Sequence, residues 1–573
     1  MANAWSESLG HSNSSDRYNF IIKVVESYWE SIHSTMEAPR KLPKLFHTII
    51  PSALDSTVQE VARAVGYAAS KLNVVEASYQ LGNLYTAVLP NSTRSSQGIF
   101  YTPPSLTSRL IEISENAGVD WRTARVVDPA CGGGAFLAPV ALKMVESLNG
   151  EDPQTIVDHI ETHLQGYEID PFGAWLSQVF VEVALKDVVT ETYRPLKRLV
   201  SVRDSLMLHL VDEEPKFDLV IGNPPYGKRS LEKSLREKFA ESLFGHANLY
   251  GLFTHLALNL VNENGVIGFL TPTSFLSGEY FKKLRKHIRR NCTPVQTDFI
   301  TVRKGVFDGV LQEVMLTTYK KIEPPVHHVA VNQITTCADH TIKIKFSGNF
   351  PLPLDISAPW ILPRSPSQSH YVRAMASMTN NLKSWGYQVS TGPLVWNRHK
   401  TQLTNVCSNN YPIIWSEAVT QDGTFLFRAE KKNHKAYFET MPGDDWLVTK
   451  KECIILQRTT AKEQDKRLIS ARLPKTLLLK HGGVIIENHL NMIVAQVEKP
   501  LVIPEVLNVF LNSKAVNESF RTISGSVAVS AYELESLPLP PPEKLKNLSR
   551  LVLKGEDKIK IEKECHNIFY QAR

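Results

Sequence analysis

At 573 residues the chain is too long for one ordinary domain, and two or three are expected. With 43% hydrophobic and 21% charged residues it reads as a soluble globular protein, and 64 Lys+Arg against 58 Asp+Glu leave a net charge of +6, compatible with a polyanionic partner. Six scattered cysteines without a CxxC pair argue against a disulfide framework or structural zinc, residues 1–20 show no signal peptide, and no apolar run is long enough to span a membrane; a reducing cytoplasm is expected.

Residues 16–95 are predicted helical, because Tyr18, Ile21, Ile22, Val25 and Tyr28, and later Val58, Val61, Ala62 and Val65, recur at helical spacing. From about 97 to 325 short apolar runs (124–127, 163–167, 217–221, 266–270 and 314–319) alternate with helix-length segments, which predicts a parallel, helix-covered sheet. Pro324-Pro325 marks a boundary, and residues 326–540 read as short strands and loops rich in Pro, Ser, Asn and His. The expected division is a helical N-terminal segment over 1–95, a catalytic domain over 96–325, a loop-rich domain over 326–542 and a charged helix over 543–573.

Asn223-Pro224-Pro225-Tyr226 follows the apolar run Phe217-Asp218-Leu219-Val220-Ile221-Gly222, and so lies on a turn at the end of a buried strand. Two prolines fix φ and remove two donors, leaving a stiff turn with free carbonyls, flanked by an amide and an aromatic ring. Such a tip can accept hydrogen bonds from an amino group and stack a flat base. Upstream, Val127-Asp128-Pro129-Ala130-Cys131-Gly132-Gly133-Gly134 reads as a strand ending in an acid, then a Gly-rich turn where backbone can approach a ligand closely; it matches neither GxGxxG nor GK[ST]. Gly166-Tyr167-Glu168-Ile169-Asp170-Pro171 puts a second acid at a strand tip, suited to ribose hydroxyls or simply solvated. Asp204 in Arg203-Asp204-Ser205-Leu206 is either an amine acceptor or a helix N-cap, and Phe100-Tyr101-Thr102-Pro103-Pro104 is at least a helix start.

Taken in order, these motifs resemble the S-adenosylmethionine-dependent DNA methyltransferases that act on the 6-amino group of adenine, most closely the gamma-ordered, type II bacterial restriction–modification enzymes. The resemblance implies an α/β fold: a Rossmann-like methyltransferase sheet with a helical N-terminal segment and a separate C-terminal target-recognition domain. It implies that Thr102, Asp128, Ala130 and Gly132 hold the methionine part of S-adenosylmethionine, that Glu168 binds the ribose and Ile169 packs on the adenine, and that Asp204, with Ser205 and Leu206, takes the cofactor's amino group. Asn223 and the Pro224 carbonyl would accept the target amine's hydrogens, while Tyr226 and Phe307 would stack on a flipped base. No metal is called for, because two acceptors on a conjugated amine and an aligned, activated methyl suffice. Asn in the first tetrad position goes with adenine in the family, and Ser usually with cytosine. The partners implied are double-stranded DNA and a separate restriction endonuclease.

For DNA, the basic run 282–290 suggests phosphate contact or a solvated helix face. Arg398, His399 and Lys400, and Arg458 and Lys462, are side chains able to read base edges. The same tetrad occurs in methyltransferases of protein glutamine and RNA, and the long region after Pro325 favours DNA. A bifunctional enzyme that also cuts DNA, or a non-catalytic subunit with a decayed methylase fold, are the remaining alternatives; Asp444-Asp445 with Glu452-Cys453-Ile454 lacks the lysine a nuclease motif requires.

Overall fold

The structure is a computed structural model that describes residues 14–34, 40–46, 54–89, 102–192, 194–208, 216–300, 313–322, 328–337, 341–459, 466–524 and 528–570. The chain forms two compact units, Met1–Pro272 with Lys283–Lys345, and Thr273–Lys282 with Phe346–Arg573. This division differs from the four expected segments. The N-terminal helices belong to the first unit, the boundary falls inside a strand after Lys345 rather than at Pro325, and the charged C-terminal helix belongs to the second unit.

The first unit is built on a nine-stranded sheet. Its strands are β1 (Val126–Asp128), β2 (Leu164–Glu168), β3 (Val200–Val202), β4 (Phe217–Gly222), β5 (Val261–Pro272), β6 (Thr293–Ile300), β7 (Val314–Lys320), β8 (His328–Thr336) and β9 (Ile342–Pro351). Their spatial order is β9-β8-β6-β7-β5-β4-β1-β2-β3. Strands β3, β2, β1, β4 and β5 are mutually parallel, as expected for near-continuous apolar runs covered on both faces. The expectation of an all-parallel sheet is corrected at β7, which runs antiparallel to both β5 and β6. Strands β6 and β7 are consecutive and side by side, and a direct return reverses direction where a parallel pairing needs a long crossover.

Helices Ser14–His33, Ser56–Ala69 and Val74–Val88 share a core with the sheet-covering helix Pro171–Ala184. Phe20, Val24, Tyr28, Leu81 and Tyr85 pack there with Phe172, Trp175 and Phe180. The first two helices cross closely at Gly66, where a Cβ would lie 2.3 Å from the Val24 carbonyl oxygen. Asp55 and Asn73 cap the second and third helices, accepting from Thr57 N and Glu76 N.

Helix Pro104–Asn116 lies against the same sheet and is anchored by an ion pair. Arg109 Nε donates to Asp298 Oδ2 at 2.7 Å, and Asp298 Oδ1 accepts from Asn332 Nδ2 at 2.7 Å and Gln296 Nε2 at 2.8 Å. Asp298 is fully buried and Arg109 nearly so.

The second unit holds an antiparallel sheet in the order Tyr387–Thr391, Leu490–Ala495, Cys453–Gln457, Ser470–Arg472, and a five-stranded sheet of short strands. Helices Pro504–Asn512, Lys514–Ile523, Lys546–Leu553 and Lys558–Tyr570 pack on one another. Ser530 and Glu533 form a reciprocal capping box at helix Ala531–Glu535. Among the described residues no helix is long and apolar enough to cross a membrane.

Breaking the Arg109–Asp298 pair from one side leaves a buried charge, a change that costs about 3–5 kcal/mol. Arg109→Met is therefore expected to lower the urea unfolding midpoint of the first unit markedly, and an unchanged midpoint would remove the pair from the list of fold anchors.

Candidate active site

The strand order of the parallel strands reverses between β1 and β4. From β1 the chain proceeds to β2 and β3 on one side, and from β4 to β5 on the other, so their carboxyl ends open a crevice. The registers set Asp128 beside Gly166 and Glu168 beside Val202, so successive strand tips deliver their acids to the same edge.

After β1 the loop turns through Gly132 and Gly134, both with positive φ (52° and 84°). A Cβ at Gly134 would lie 2.9 Å from Ser177 Oγ, whereas one at Gly132 would meet nothing within 4 Å, leaving that stretch of backbone open to the cavity. Asp128 is 1% exposed and its Oδ1 accepts from Ala130 N at 3.0 Å. Burial, reinforced by nearby Glu168, pushes its carboxyl up to about 8. Gly222 at the end of β4 permits this burial, since a Cβ there would stand 2.6 Å from Asp128 Oδ1.

Glu168 is held by two backbone donors, Asp170 N on Oε1 (2.9 Å) and Gly132 N on Oε2 (2.8 Å), and burial pushes it up to about 7. A carboxylate has about four lone-pair sites, so two remain for a ligand. Beside it Ile169 is 57% exposed, an isoleucine left at the cavity rim. Asp204 does cap a short helix, through Leu206 N at 3.0 Å, and its Oδ2 faces Arg229 at 3.5 Å. Ser205 is buried and spends its hydroxyl on the Pro129 carbonyl (2.6 Å), tying the third loop to the first. Lys238 Nζ donates to the Leu206 carbonyl at 2.8 Å and to that of Leu208.

The tetrad follows β4 directly. Asn223 Nδ2 donates to Thr102 Oγ1 at 3.2 Å, and Thr102 is itself 2% exposed. That contact fixes the amide with Oδ1 buried and without a hydrogen-bond partner. Pro224 is buried. Tyr226 donates to the Leu270 carbonyl at 3.4 Å, and its ring stands edge-on to Tyr250 at 6.1 Å and 82°.

One cavity of about 450 Å³ joins these parts. Thr102, Asp128, Ala130, Gly132, Glu168, Ile169, Asp204, Ser205, Leu206 and Asn223 all line it; of the other tetrad residues Pro225 lines it, and Pro224 and Tyr226 do not. Phe307 and Lys462 fall outside the described residues. In the second unit Arg398 and Lys400 are exposed, but His399 Nδ1 is engaged with Gln402 Oε1 (2.8 Å), and Arg458 is part-buried with its guanidinium on the Asn488 carbonyl (3.3 Å). The basic helix Lys282–Asn291 is only half available, because Arg285 and Arg289 turn inward while Lys283, Lys286 and Arg290 face outward.

Sequence reasoning passed over Tyr85, Arg203, Arg229 and Phe253, which also line the cavity. Tyr85 carried no signal, since it reads as one more apolar position of a helix. Asp170 was in view within Glu168-Ile169-Asp170 but given no role.

The cavity lines up carboxyls (Asp128, Glu168, Asp170, Asp204) with cations (Arg203, Lys228, Arg229) and apolar side chains such as Ile169 and Phe253. Both raised carboxyls hold protons in the folded chain that the unfolded chain has already lost. Their contribution to stability is therefore complete below the ordinary carboxylate range and is lost as pH rises through about 7 and 8. The ligand-free protein is expected to melt at progressively lower temperature across that window, and Asp128→Asn to flatten the decline. A decline of equal slope in the variant would contradict the buried, protonated Asp128.

Residues 166–307 match the family described as Eco57I restriction-modification methylase. The chain is 24% identical over 492 residues to the type II methyltransferase M.PstI of Providencia stuartii, covering 82% of this chain and 92% of the relative. It is 23% identical over 481 residues to M.BsuBI of Bacillus subtilis, covering 81% and 92%. Among solved structures it resembles the type IIL restriction-modification enzyme MmeI in complex with DNA (TM-score 0.58, 12% identity, 100% of this chain and 94% of that one). It also resembles DrdV in its DNA complex (TM-score 0.52, 11% identity, 93% and 66%). With its methyltransferase-type sheet and its Eco57I-type methylase region, the chain is similar to the type II restriction–modification DNA methyltransferases.

Proposed function

We propose that the protein transfers a methyl group from S-adenosylmethionine to the exocyclic 6-amino group of an adenine flipped out of a specific duplex sequence. The observation that carries this reading is Asn223 Oδ1, a buried acceptor without a partner at the cavity wall, held in that orientation by Thr102. A buried unsatisfied acceptor costs about 1–3 kcal/mol, a cost that a donor from an incoming amine would offset.

S-adenosylmethionine, when bound, supplies an electrophilic methyl on a positively charged sulfur. The residues divide the remaining work. Asp128, once ionised, holds the ammonium of the methionine part, with Ala130 and Gly132 lining that end and Thr102 beside it. Glu168 offers its free lone pairs to the ribose hydroxyls, exposed Ile169 covers the purine, and Asp204 accepts from its amino group with Ser205 and Leu206 shaping the pocket. Asn223 Oδ1 and the Pro224 carbonyl accept the two hydrogens of the target amine. This would localise the nitrogen lone pair and stabilise positive charge as the N–C bond forms and the methyl–sulfur bond breaks, the surplus amine proton then leaving to solvent. Tyr226 stacks on the extruded base and offsets part of the unstacking cost, and Phe307 serves as a second aromatic wall. In the second unit Arg398, His399, Lys400, Arg458 and Lys462 are the proposed readers of DNA, and a separate endonuclease cutting the same site is the proposed functional partner.

Purified protein given methyl-labelled cofactor is expected to label plasmid DNA and to leave ribosomal RNA and release factors unlabelled; label in RNA or protein alone would overturn the substrate. Asn223→Ala is expected to lose at least about 100-fold in transfer rate while still binding cofactor, and a near-normal rate would remove Asn223 from the chemistry.

A further inference from the structure

Asp170 is where the N-terminal helices reach the cavity. Its Oδ2 accepts from the Tyr85 hydroxyl at 2.8 Å and from Gly173 N at 2.9 Å, and its Oδ1 from Phe172 N at 3.2 Å. The carboxylate therefore caps helix Pro171–Ala184 and holds the phenol together. Its own N–H donates to Glu168 Oε1, and the other Glu168 oxygen accepts from Gly132 N. One hydrogen-bonded series thus runs from Tyr85 through Asp170 and Glu168 to the glycine loop.

Tyr85 is well placed to steer that series. It is 2% exposed yet lines the cavity, and its ring is held by Phe172 at 4.8 Å and by Tyr18 at 6.4 Å. Leu81, Tyr85 and Val88 lie on the buried side of helix Val74–Val88, so the ring position follows from the helix core. Only the hydroxyl reaches out of that core, toward the turn that carries Glu168 and Ile169.

We propose that Tyr85 is a positioning residue for cofactor binding, its hydroxyl acting through Asp170 to set the turn that presents Glu168 and Ile169 to the nucleoside. The proposal rests on the reading that a nucleoside cofactor occupies this cavity. It assigns the N-terminal helices a part in cofactor affinity in addition to covering the sheet. A merely structural Tyr85 would change melting temperature and leave cofactor affinity alone.

The test uses the full chain with S-adenosylmethionine as the probe, comparing wild type, Tyr85→Phe, Asp170→Asn and the double variant. Tyr28→Phe is the control, a fully buried tyrosine of the same core whose hydroxyl has no hydrogen-bond partner. Tyr85→Phe removes the hydrogen bond to the charged Asp170 together with the hydroxyl's bond to Tyr18, and is expected to raise the cofactor KM and Kd about tenfold, with kcat at saturating cofactor within about twofold. The double variant is expected to be no worse than Asp170→Asn alone, and Tyr28→Phe to bind as wild type does. Unchanged cofactor affinity in Tyr85→Phe, additive losses in the double variant, or a loss confined to kcat would each overturn the proposal. Failure of the wild type to bind the cofactor would overturn the reading of the cavity itself, and the proposal with it.

Discussion

The close approach of Gly222 to Asp128 governs the geometry of the cleft. Strands β1 and β4 are hydrogen-bonded neighbours whose chains depart to opposite sides, and only a residue without a side chain at the end of β4 leaves room for a carboxyl at the end of β1. The turn that begins at Gly222 then runs straight into Asn223, so one contact fixes the distance between the acid of the first loop and the amide of the tetrad. Thr102, at the start of helix Pro104–Asn116, completes the arrangement by holding that amide from the far side. Parallel pairing, a glycine and two prolines position the amide without any long flexible segment.

The cleft holds its polar groups in states that are unfavourable in the ligand-free chain. Burial pushes Asp128 up to about 8 and Glu168 up to about 7, with Glu168 adding to the first and Asp170 to the second, and Asn223 Oδ1 is buried without a partner. Groups strained in this way cluster where a ligand is meant to relieve them. The neighbouring polar contacts are by contrast fully used: Ser205 on the Pro129 carbonyl, Asp170 on three donors, Lys238 on two carbonyls. These contacts tie the loops to one another, while Asn223 Oδ1 is left without a partner at the cavity wall.

Much of this was legible in the sequence because local chemistry set it. The apolar runs ending in Asp128, Glu168 and Gly222 became strands within a residue or two of expectation, since buried parallel strands have to be apolar on both faces. Other features depended on tertiary contacts that no local pattern encodes. The reversed direction of β7 follows from which strands become neighbours, and its apolar run would serve either direction. The N-terminal helices showed their periodicity but not their partner, because a core shared with Phe172 and Trp175 is written in two distant segments. Arg285 and Arg289 read as surface charge in a basic run and turn inward because Leu284 and Ile288 pull the same helix face toward the core. Tyr85 was invisible for the same reason: its role depends on meeting Asp170.

The central claim is that the pocket behind Asn223 accepts one adenine of a DNA duplex as its methyl acceptor. It is tested most directly by digesting plasmid DNA from a host expressing the protein to nucleosides and identifying the methylated base by mass spectrometry. The account predicts N6-methyladenine, absent from DNA of a methylation-free host carrying Asn223→Ala. N4-methylcytosine in its place, or no methylated base in DNA from the expressing host, would contradict it.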